Sequence, residues 1–247
     1  MKVYIGTSGW IYEDWWGIFY PEDLPHHRAL EYYANYFNSV EINATFYRFF
    51  KDSAFKSWEE KAPEGFTYTL KMPRLITHLK KLQGVESSLK RFLEQARLLR
   101  DHLGSILIQL PPNLKKDIRR LEEFLSLLPS DILFAFEFRH KSWFSDDVYQ
   151  MLNRYGMGFV SFHHPHMNTP REATGKIVYL RFHGSAGLYY GRYSRQELRD
   201  WAMWAKKEAK GKRATFVYFN NDVDGDAIFD ALEMKSLFAS AGKKTLL

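Results

Sequence analysis

The feature that most constrains the fold is the regular alternation of short apolar runs with amphipathic segments along the chain. Eight such runs are rich in β-branched and aromatic residues and are bounded by Gly, Pro or Asn. Because they are mostly apolar throughout, we expect strands buried on both faces, as in a parallel sheet covered by helices. The predicted strands are Val3–Gly9, Ser39–Asn43, Phe66–Met72, Ile106–Pro111, Leu133–Arg139, Gly158–His163, Ile177–Gly184 and Thr215–Asn221.

The segments between these runs carry apolar residues at helical spacing, with charged residues on the opposite face. Pro129 marks the end of one of them. The predicted helices are Ser87–His102, Asp117–Leu128, Arg195–Lys210 and Asp226–Ala241. Residues 165–175, which follow the sixth strand, are instead predicted to form a loop.

Eight strand–helix units in 247 residues correspond to about 31 residues each, close to the size of a βαβ module. We therefore predict the α/β class and a single (β/α)8 TIM-type barrel, a closed parallel sheet with outer helices, as one domain over residues 1–247. A doubly wound open sheet is the alternative. The absence of a G-x-G-x-x-G motif after the first strand argues against a dinucleotide-binding open sheet.

The composition excludes several classes of protein. Hydrophobic residues make up 45% of the chain, which excludes a disordered chain, and the lack of cysteine excludes disulfides and thiolate metal sites. The N-terminus lacks the apolar region of a signal peptide, and no apolar run approaches the ~18 residues of a membrane helix. We therefore expect a cytoplasmic protein without a membrane partner. The absence of Cys and the scarcity of Gln favour a heat-adapted source.

Polar residues concentrate where the predicted strands end. Three strands carry two polar residues two positions apart, so that both lie on one face: Glu41 with Asn43, Glu137 with Arg139, and Arg181 with His183. If the apolar residues between them face the helices, these pairs point into the barrel mouth, where active sites of this fold lie. We predict a polar ligand pocket there. The alternative is a plug of ion pairs, such as Glu41–Lys71 and Glu137 with Arg139 or Arg181.

Several motifs together resemble a known family. They are Gly6-Thr-Ser-Gly-Trp10, Val40-Glu-Ile-Asn-Ala-Thr-Phe-Tyr-Arg48, Thr77-His78, Gln109-Leu-Pro-Pro112, Glu137-Phe-Arg139 with Ser142-Trp143, Arg181-Phe-His-Gly184 and Tyr218-Phe-Asn-Asn-Asp222. Over nearly the whole chain they are similar to the DUF72 (YecE-like) family. The resemblance implies a TIM barrel of unassigned activity. The chain departs from the pattern at His163-His164, where this family often has an acidic residue.

The candidate catalytic residues are Glu41 and Glu137 as general acid and base, and Lys71 as a Schiff-base or proton-transfer lysine. A carboxylate pair across a barrel mouth would also suit a glycosidase. Arg139 and His183 complete the predicted catalytic set. The predicted substrate-binding residues are Trp10, Asn43, Tyr47, His78, Gln109, Trp143, Arg181, Tyr193, Asn220, Asn221 and Asp222.

The sequence contains no motif for an organic cofactor. His163, His164, His166 and His183 offer metal ligands, but the H-x-x-x-H and H-E-x-x-H spacings are absent, so a divalent metal is not favoured. The oligomeric state is left open.

We predict an enzyme that acts on a small polar or anionic metabolite, a sugar or nucleotide fragment, by carboxylate and lysine acid–base chemistry at the C-terminal rim of the barrel. Hydrolase, isomerase and lyase chemistry all remain open. The net charge of +6 and the many aromatic residues suggest a first alternative, a nucleic-acid-binding barrel or metal-dependent nuclease. A second alternative is a ligand-binding module without catalysis.

Overall fold

A computed structural model describes residues 2–239, and within that range parallel strands form a nearly closed barrel surrounded by helices. The strands are β1 (Lys2–Thr7), β2 (Ser39–Ile42), β3 (Thr67–Lys71), β4 (Leu103–Gln109), β5 (Phe134–Glu137), β6 (Gly158–His164), β7 (Met167–Asn168), β8 (Ile177–Phe182) and β9 (Ala214–Phe219). Hydrogen-bonded neighbours follow the order β1-β9-β8-β6-β5-β4-β3-β2, and the short β7 pairs antiparallel with β6. The predicted (β/α)8 TIM-type fold is confirmed.

The helices are α1 (Ala29–Ala34), α2 (Ala44–Tyr47), α3 (Asp52–Lys61), α4 (Glu86–Ala96), α5 (Ile118–Leu125), α6 (Asp146–Tyr155), α7 (Arg195–Glu208) and α8 (Asp226–Ala239). Asp117, predicted as the first residue of a helix, is the N-cap of α5, where its side chain accepts the Arg120 N–H. A capping box formed by Ser194 and Glu197 begins α7. Among the described helices none is long and apolar enough to cross a membrane.

The predicted helix Ser87–His102 is interrupted. The α-helix ends at Ala96, and a 3₁₀ turn follows over Arg97–His102. Arg100 has φ 48°, a left-handed conformation that no continuous α-helix contains. Residues 165–175 contain no helix, as predicted, because the chain turns back at β7. The last two residues of the predicted final helix, 240 and 241, lie outside the described residues.

Apolar side chains form two layers, one inside the barrel and one between the barrel and its helices. Ile42, Phe138 and Phe182 belong to the outer layer, as the alternation of polar and apolar residues predicts. The inner layer consists of Leu107, Ala135, Val160, Phe162, Ile177, Tyr179, Ala214, Phe216 and Tyr218. The polar partners of the outer residues therefore point toward the barrel axis.

The seam between β1 and β2 is closed partly by side chains. Tyr33 of α1 accepts a hydrogen bond from the Thr7 N–H at 2.8 Å and donates one to the Ser39 carbonyl at 3.1 Å. Asn38, just before β2, accepts the N–H of Ile5 at 3.0 Å. Backbone donors of β1 that face β2 are thereby satisfied although the strands share few direct bonds.

The two strands approach most closely at Gly6. A Cβ atom there would lie 1.9 Å from the carbonyl oxygen of Ser39, so the seam accepts only glycine at this position. Farther along, Ser8 bridges to Glu41, and the N–H of Gly9 donates to the Glu41 carbonyl at 2.9 Å. The seam therefore fixes the backbone of Glu41 at the C-terminal end of the barrel.

The role of Tyr33 in the seam predicts the effect of removing its hydroxyl. Tyr33→Phe lowers the free energy of unfolding by about 1–3 kcal/mol, because the buried Thr7 N–H loses its acceptor. The control is Tyr36→Phe, which removes the hydroxyl of an exposed residue, paired with the Tyr32 hydroxyl at 3.2 Å, and changes stability by less than about 0.5 kcal/mol. Urea denaturation measures the unfolding free energy of both variants. Equal losses in the two would contradict the role of Tyr33 in the seam.

Candidate functional site

At the C-terminal end of the barrel a buried arginine joins two buried glutamates. The side chains of Glu41 and Glu137 are inaccessible to solvent, and Arg181 is 1% exposed. Nη2 of Arg181 lies 2.6 Å from Oε1 of Glu41, and its Nη1 lies 2.6 Å from Oε2 of Glu137. These residues come from β8, β2 and β5, which are not neighbours in the sheet. The guanidinium group therefore spans the barrel interior.

Glu41 is saturated with hydrogen-bond donors. Besides Arg181, the hydroxyl of Tyr179 donates to its Oε2 at 2.6 Å and the hydroxyl of Ser8 donates to its Oε1 at 2.7 Å. Nε of Arg181 also lies within 3.2 Å of both oxygens. Both oxygens of this carboxyl group are therefore engaged by protein donors.

Glu137 is held in the same way. Its Oε1 accepts from the Gln109 amide at 2.6 Å and from Nε of Arg139, while Arg181 occupies Oε2. Burial alone would raise the pKa of Glu137, but the attraction of Arg139 and Arg181 outweighs it and holds the pKa well below its usual range. Glu137 is therefore a carboxylate at neutral pH and has no proton to donate.

This network adjoins a cavity of about 620 Å³, a size that suits a small metabolite. Four cationic side chains, Lys71, Arg74, Arg139 and Arg181, contribute to its wall, and no carboxylate of residues 2–239 does. The other lining residues are Phe46, Tyr47, His78, Gln109, Pro112, His164, His166, Met167, His183, Tyr189 and Asn220. The wall therefore attracts anions.

Lys71 ends β3 with its amine inside this cavity. Nζ lies 4.5 Å from the centre of the Phe46 ring, and no side chain or carbonyl among residues 2–239 forms a hydrogen bond or ion pair with it. Burial, followed by repulsion from Arg181, lowers the pKa of Lys71 to about 8. The predicted Glu41–Lys71 ion pair is wrong, because Arg181 takes the oxygens of Glu41 instead.

Two histidines in the cavity wall are neutral at pH 7. Nε2 of His183 lies 3.0 Å from Nη2 of Arg139 and accepts from it, so the ring proton is on Nδ1, a buried atom without a partner in the described chain. Burial and then the charge of Arg181 hold the pKa of His183 well below its usual range. Burial and then Lys71 lower the pKa of His78 to about 4.

The structure brings half of the predicted site residues to one cavity. Those that line it are Lys71, Arg139 and His183 from the catalytic set and Tyr47, His78, Gln109, Arg181 and Asn220 from the binding set. Glu41 and Glu137 lie in the network beside the cavity, outside its wall. Asn43 contacts Asn220 at 3.5 Å and lines a neighbouring groove that also contains Trp10.

Four predicted binding residues lie outside both the cavity wall and the groove. Their contacts are Trp143 to the Leu114 carbonyl, the Tyr193 hydroxyl to His163 of β6, Asn221 to Asp230 and, through its backbone carbonyl, Asp222 to Trp15. Burial raises the pKa of Asp222 to about 7. No group of three or more His, Cys, Asp or Glu residues in the described range is arranged to hold a metal ion.

Sequence reasoning did not select several residues of the cavity wall. Arg74 follows Lys71 by three residues, and Phe46 lies in α2, directly after β2. Their proximity to strand ends was the available signal, since loops after strands form the rim of this fold. His164 ends β6, and His166 lies exposed in the turn between β6 and β7, inside the predicted loop; both also line the cavity.

Comparison with known sequences gives one family over nearly the whole chain. The family described as "Protein of unknown function DUF72" matches residues 4–246. The UPF0759 protein YunF of Bacillus subtilis (strain 168) is 26% identical over 269 residues, covering 95% of this chain and 94% of YunF. The UPF0759 protein YecE of Escherichia coli (strain K12) is 30% identical over 156 residues, covering 62% of this chain and 54% of YecE.

Solved structures show the same likeness. A DUF72 family protein from Thermotoga maritima MSB8 superimposes with a TM-score of 0.87 at 30% identity, covering 97% of this chain and 100% of that one. A DUF72 family protein from Enterococcus faecalis V583 has a TM-score of 0.81 at 20% identity, covering 96% of this chain and 95% of that one, and shows the fold alone.

The buried network predicts a large cost when its central cation is removed. Arg181→Met lowers the free energy of unfolding at pH 7 by about 3–5 kcal/mol, because Glu41 and Glu137 lose their shared partner. The matched control is Arg97→Met, which removes a largely exposed ion pair with Asp131 and costs at most about 1 kcal/mol. Chemical denaturation compares the two. A small loss of unfolding free energy in Arg181→Met, similar to that in Arg97→Met, would contradict the prediction that Arg181 is the shared partner of the two glutamates.

The lowered pKa of Glu137 predicts a dependence of stability on pH. A carboxyl group whose pKa is lower in the folded state adds stability above its unfolded pKa and loses it as the pH falls through the folded value. Between about pH 5 and pH 3 the wild-type protein therefore loses more unfolding free energy than Glu137→Gln. Glu60→Gln, at an exposed position on α3, keeps the wild-type slope. Identical slopes in all three proteins would contradict the prediction.

Proposed function

Because the chain belongs to the DUF72 family, whose description names no reaction, we propose from the site itself that this protein is an enzyme acting on a small anionic metabolite. The observation that supports it best is the charge of the cavity wall, which holds four cations and no carboxylate from the described residues. Carboxylates and phosphates are the anions that arginine and lysine side chains bind in proteins.

The four cations have different tasks in this proposal. Arg181 is fully engaged by the two buried glutamates, so its task is to fix the positions of the strand ends around the cavity. Arg139 bonds Glu137 through Nε and packs its guanidinium over the Phe162 ring at 4.4 Å, which orients it toward the cavity. Arg74 is exposed and has no ion pair within residues 2–239, so its guanidinium group is available to a ligand.

The reacting group in this proposal is the amine of Lys71. With a pKa of about 8 it is partly neutral near physiological pH, as a base or nucleophile must be. Glu41 and Glu137 act as supports, because their oxygens are occupied by protein donors and neither lines the cavity. The same geometry disfavours a glycosidase, which needs one carboxyl group to give up a proton to the substrate.

A metabolite-conversion experiment tests this function. Purified protein is incubated with a defined mixture of small phosphorylated and carboxylated metabolites, and depletion is followed by mass spectrometry. We expect wild type to convert at least one of them, faster as the pH rises through about 8, and Lys71→Met to convert none. Lys212→Met removes a partly buried lysine outside the cavity, bonded to the Gly175 carbonyl, and keeps the conversion.

The same mixture distinguishes the competing outcomes. Binding of an anion, seen as a raised melting temperature, without any conversion would reject the enzyme and leave a ligand-binding module. If no anion in the mixture, inorganic phosphate included, raises the melting temperature, the proposal that the cavity binds a small anion is rejected.

A further inference from the structure

We propose that Lys71 forms a Schiff base with the carbonyl carbon of a small anionic aldehyde or ketone. This inference rests on the proposed function and narrows it to a substrate class: a carbonyl compound that carries a carboxylate or a phosphate. Three features of the cavity support it, namely an unpaired amine, cations around that amine, and a separate place for an anion.

The amine of Lys71 contacts the ring of Phe46 but forms no hydrogen bond or ion pair in the described chain. A lysine that stabilises a fold is normally held by a carboxylate or a carbonyl, whereas Nζ of Lys71 faces the ring of Phe46 at 4.5 Å. The side chain is thus positioned by packing while the nitrogen lone pair stays free. A nucleophile needs that combination of a fixed position and an uncommitted reactive atom.

The surroundings of Lys71 make its amine easier to deprotonate than that of an exposed lysine. Arg181 and Arg139 contribute to the same cavity wall, and their charges add to burial in weakening the hold of the amine on its proton. Lysines activated for imine formation are typically desolvated or placed beside another cation. The negative charges of Glu137 and Glu41 raise the pKa of Lys71, but burial and the arginines outweigh them, so the net shift of the pKa is downward.

The charge of the product explains why an anionic carbonyl compound is favoured over a neutral one. A Schiff base restores a positive charge at Nζ, close to Arg181 and Arg139, and alone this charge would be repelled. A carboxylate or phosphate on the same substrate offsets it. Arg74, which has no ion pair in the described chain, and Arg139 are the groups placed to hold that anion.

The reaction balances without an oxidant or a reductant. The lone pair of the neutral amine adds to the carbonyl carbon, the carbonyl electron pair moves to oxygen, and a proton shifts from nitrogen to that oxygen to give a carbinolamine. The hydroxyl group then takes one further proton and leaves as water, giving a protonated C=N bond. In total one ammonium group and one carbonyl give one iminium ion and one water. The proton that the ammonium group of Lys71 releases to solvent is equivalent to the one that the leaving hydroxyl group takes, so no net proton is gained or lost.

Reductive trapping tests the proposal directly. The protein is incubated with pyruvate or with glycolaldehyde phosphate, the iminium ion is reduced with sodium cyanoborohydride, and the adduct is located by peptide mass spectrometry. We expect one adduct per chain at Lys71, its loss in Lys71→Arg and its retention in Lys212→Arg. Inorganic phosphate should slow the trapping, and acetone, which has no anionic group, should give much less adduct than pyruvate.

The outcomes separate this inference from the proposed function. Adducts spread over exposed lysines, or an adduct that persists in Lys71→Arg, would overturn the Schiff base. If both probes or phosphate raise the melting temperature but no adduct forms, the Schiff base is overturned and the anionic ligand of the proposed function stands. If none of the three raises the melting temperature, the proposed function fails as well. The melting temperature of Lys71→Arg itself shows whether that variant is folded.

Discussion

The C-terminal end of the barrel depends on the buried guanidinium group of Arg181. It reaches from β8 to Glu41 on β2 and Glu137 on β5, with a shortest N–O distance of 2.6 Å to each. Burying three charges gains little stability over a well-packed apolar core, whereas removing one partner is costly. The benefit is geometric, because hydrogen bonds of fixed direction hold the ends of β2, β5 and β8 in fixed relative positions.

The same network sets the charge of the cavity beside it. Glu41 and Glu137 bond to arginines of the cavity wall but do not line the cavity themselves. They therefore neutralise part of its positive charge without exposing a carboxylate to it. Of the four cations in the cavity wall, the buried Lys71 and the exposed Arg74 have no ion-pair partner in the described chain. The ion-pair plug, the alternative considered from the sequence, therefore coexists with an adjoining open cavity.

Local sequence pattern predicted much of this arrangement. The alternation around Ile42, Phe138 and Phe182 correctly placed their polar neighbours toward the barrel axis, because a strand has a side-chain period of two. The pattern failed where the chain leaves the strands. Trp143, predicted to bind substrate, follows β5 in a short 3₁₀ turn and donates to the Leu114 carbonyl outside the cavity. Its position depends on loop conformation, which no periodicity encodes.

The sequence by itself determined the eight strand–helix units, the family resemblance and the identity of the charged residues at the strand ends, because these follow from local spacing and residue type. The predicted pairing of Glu137 with Arg139 or Arg181 is present, whereas the tertiary structure alone decided the partner of Glu41. From the sequence Glu41 was matched to Lys71, but barrel closure brings Arg181 to Glu41 from a strand 140 residues away. That single choice leaves Lys71 unpaired, and distances between strands remote in the sequence arise only when the sheet closes.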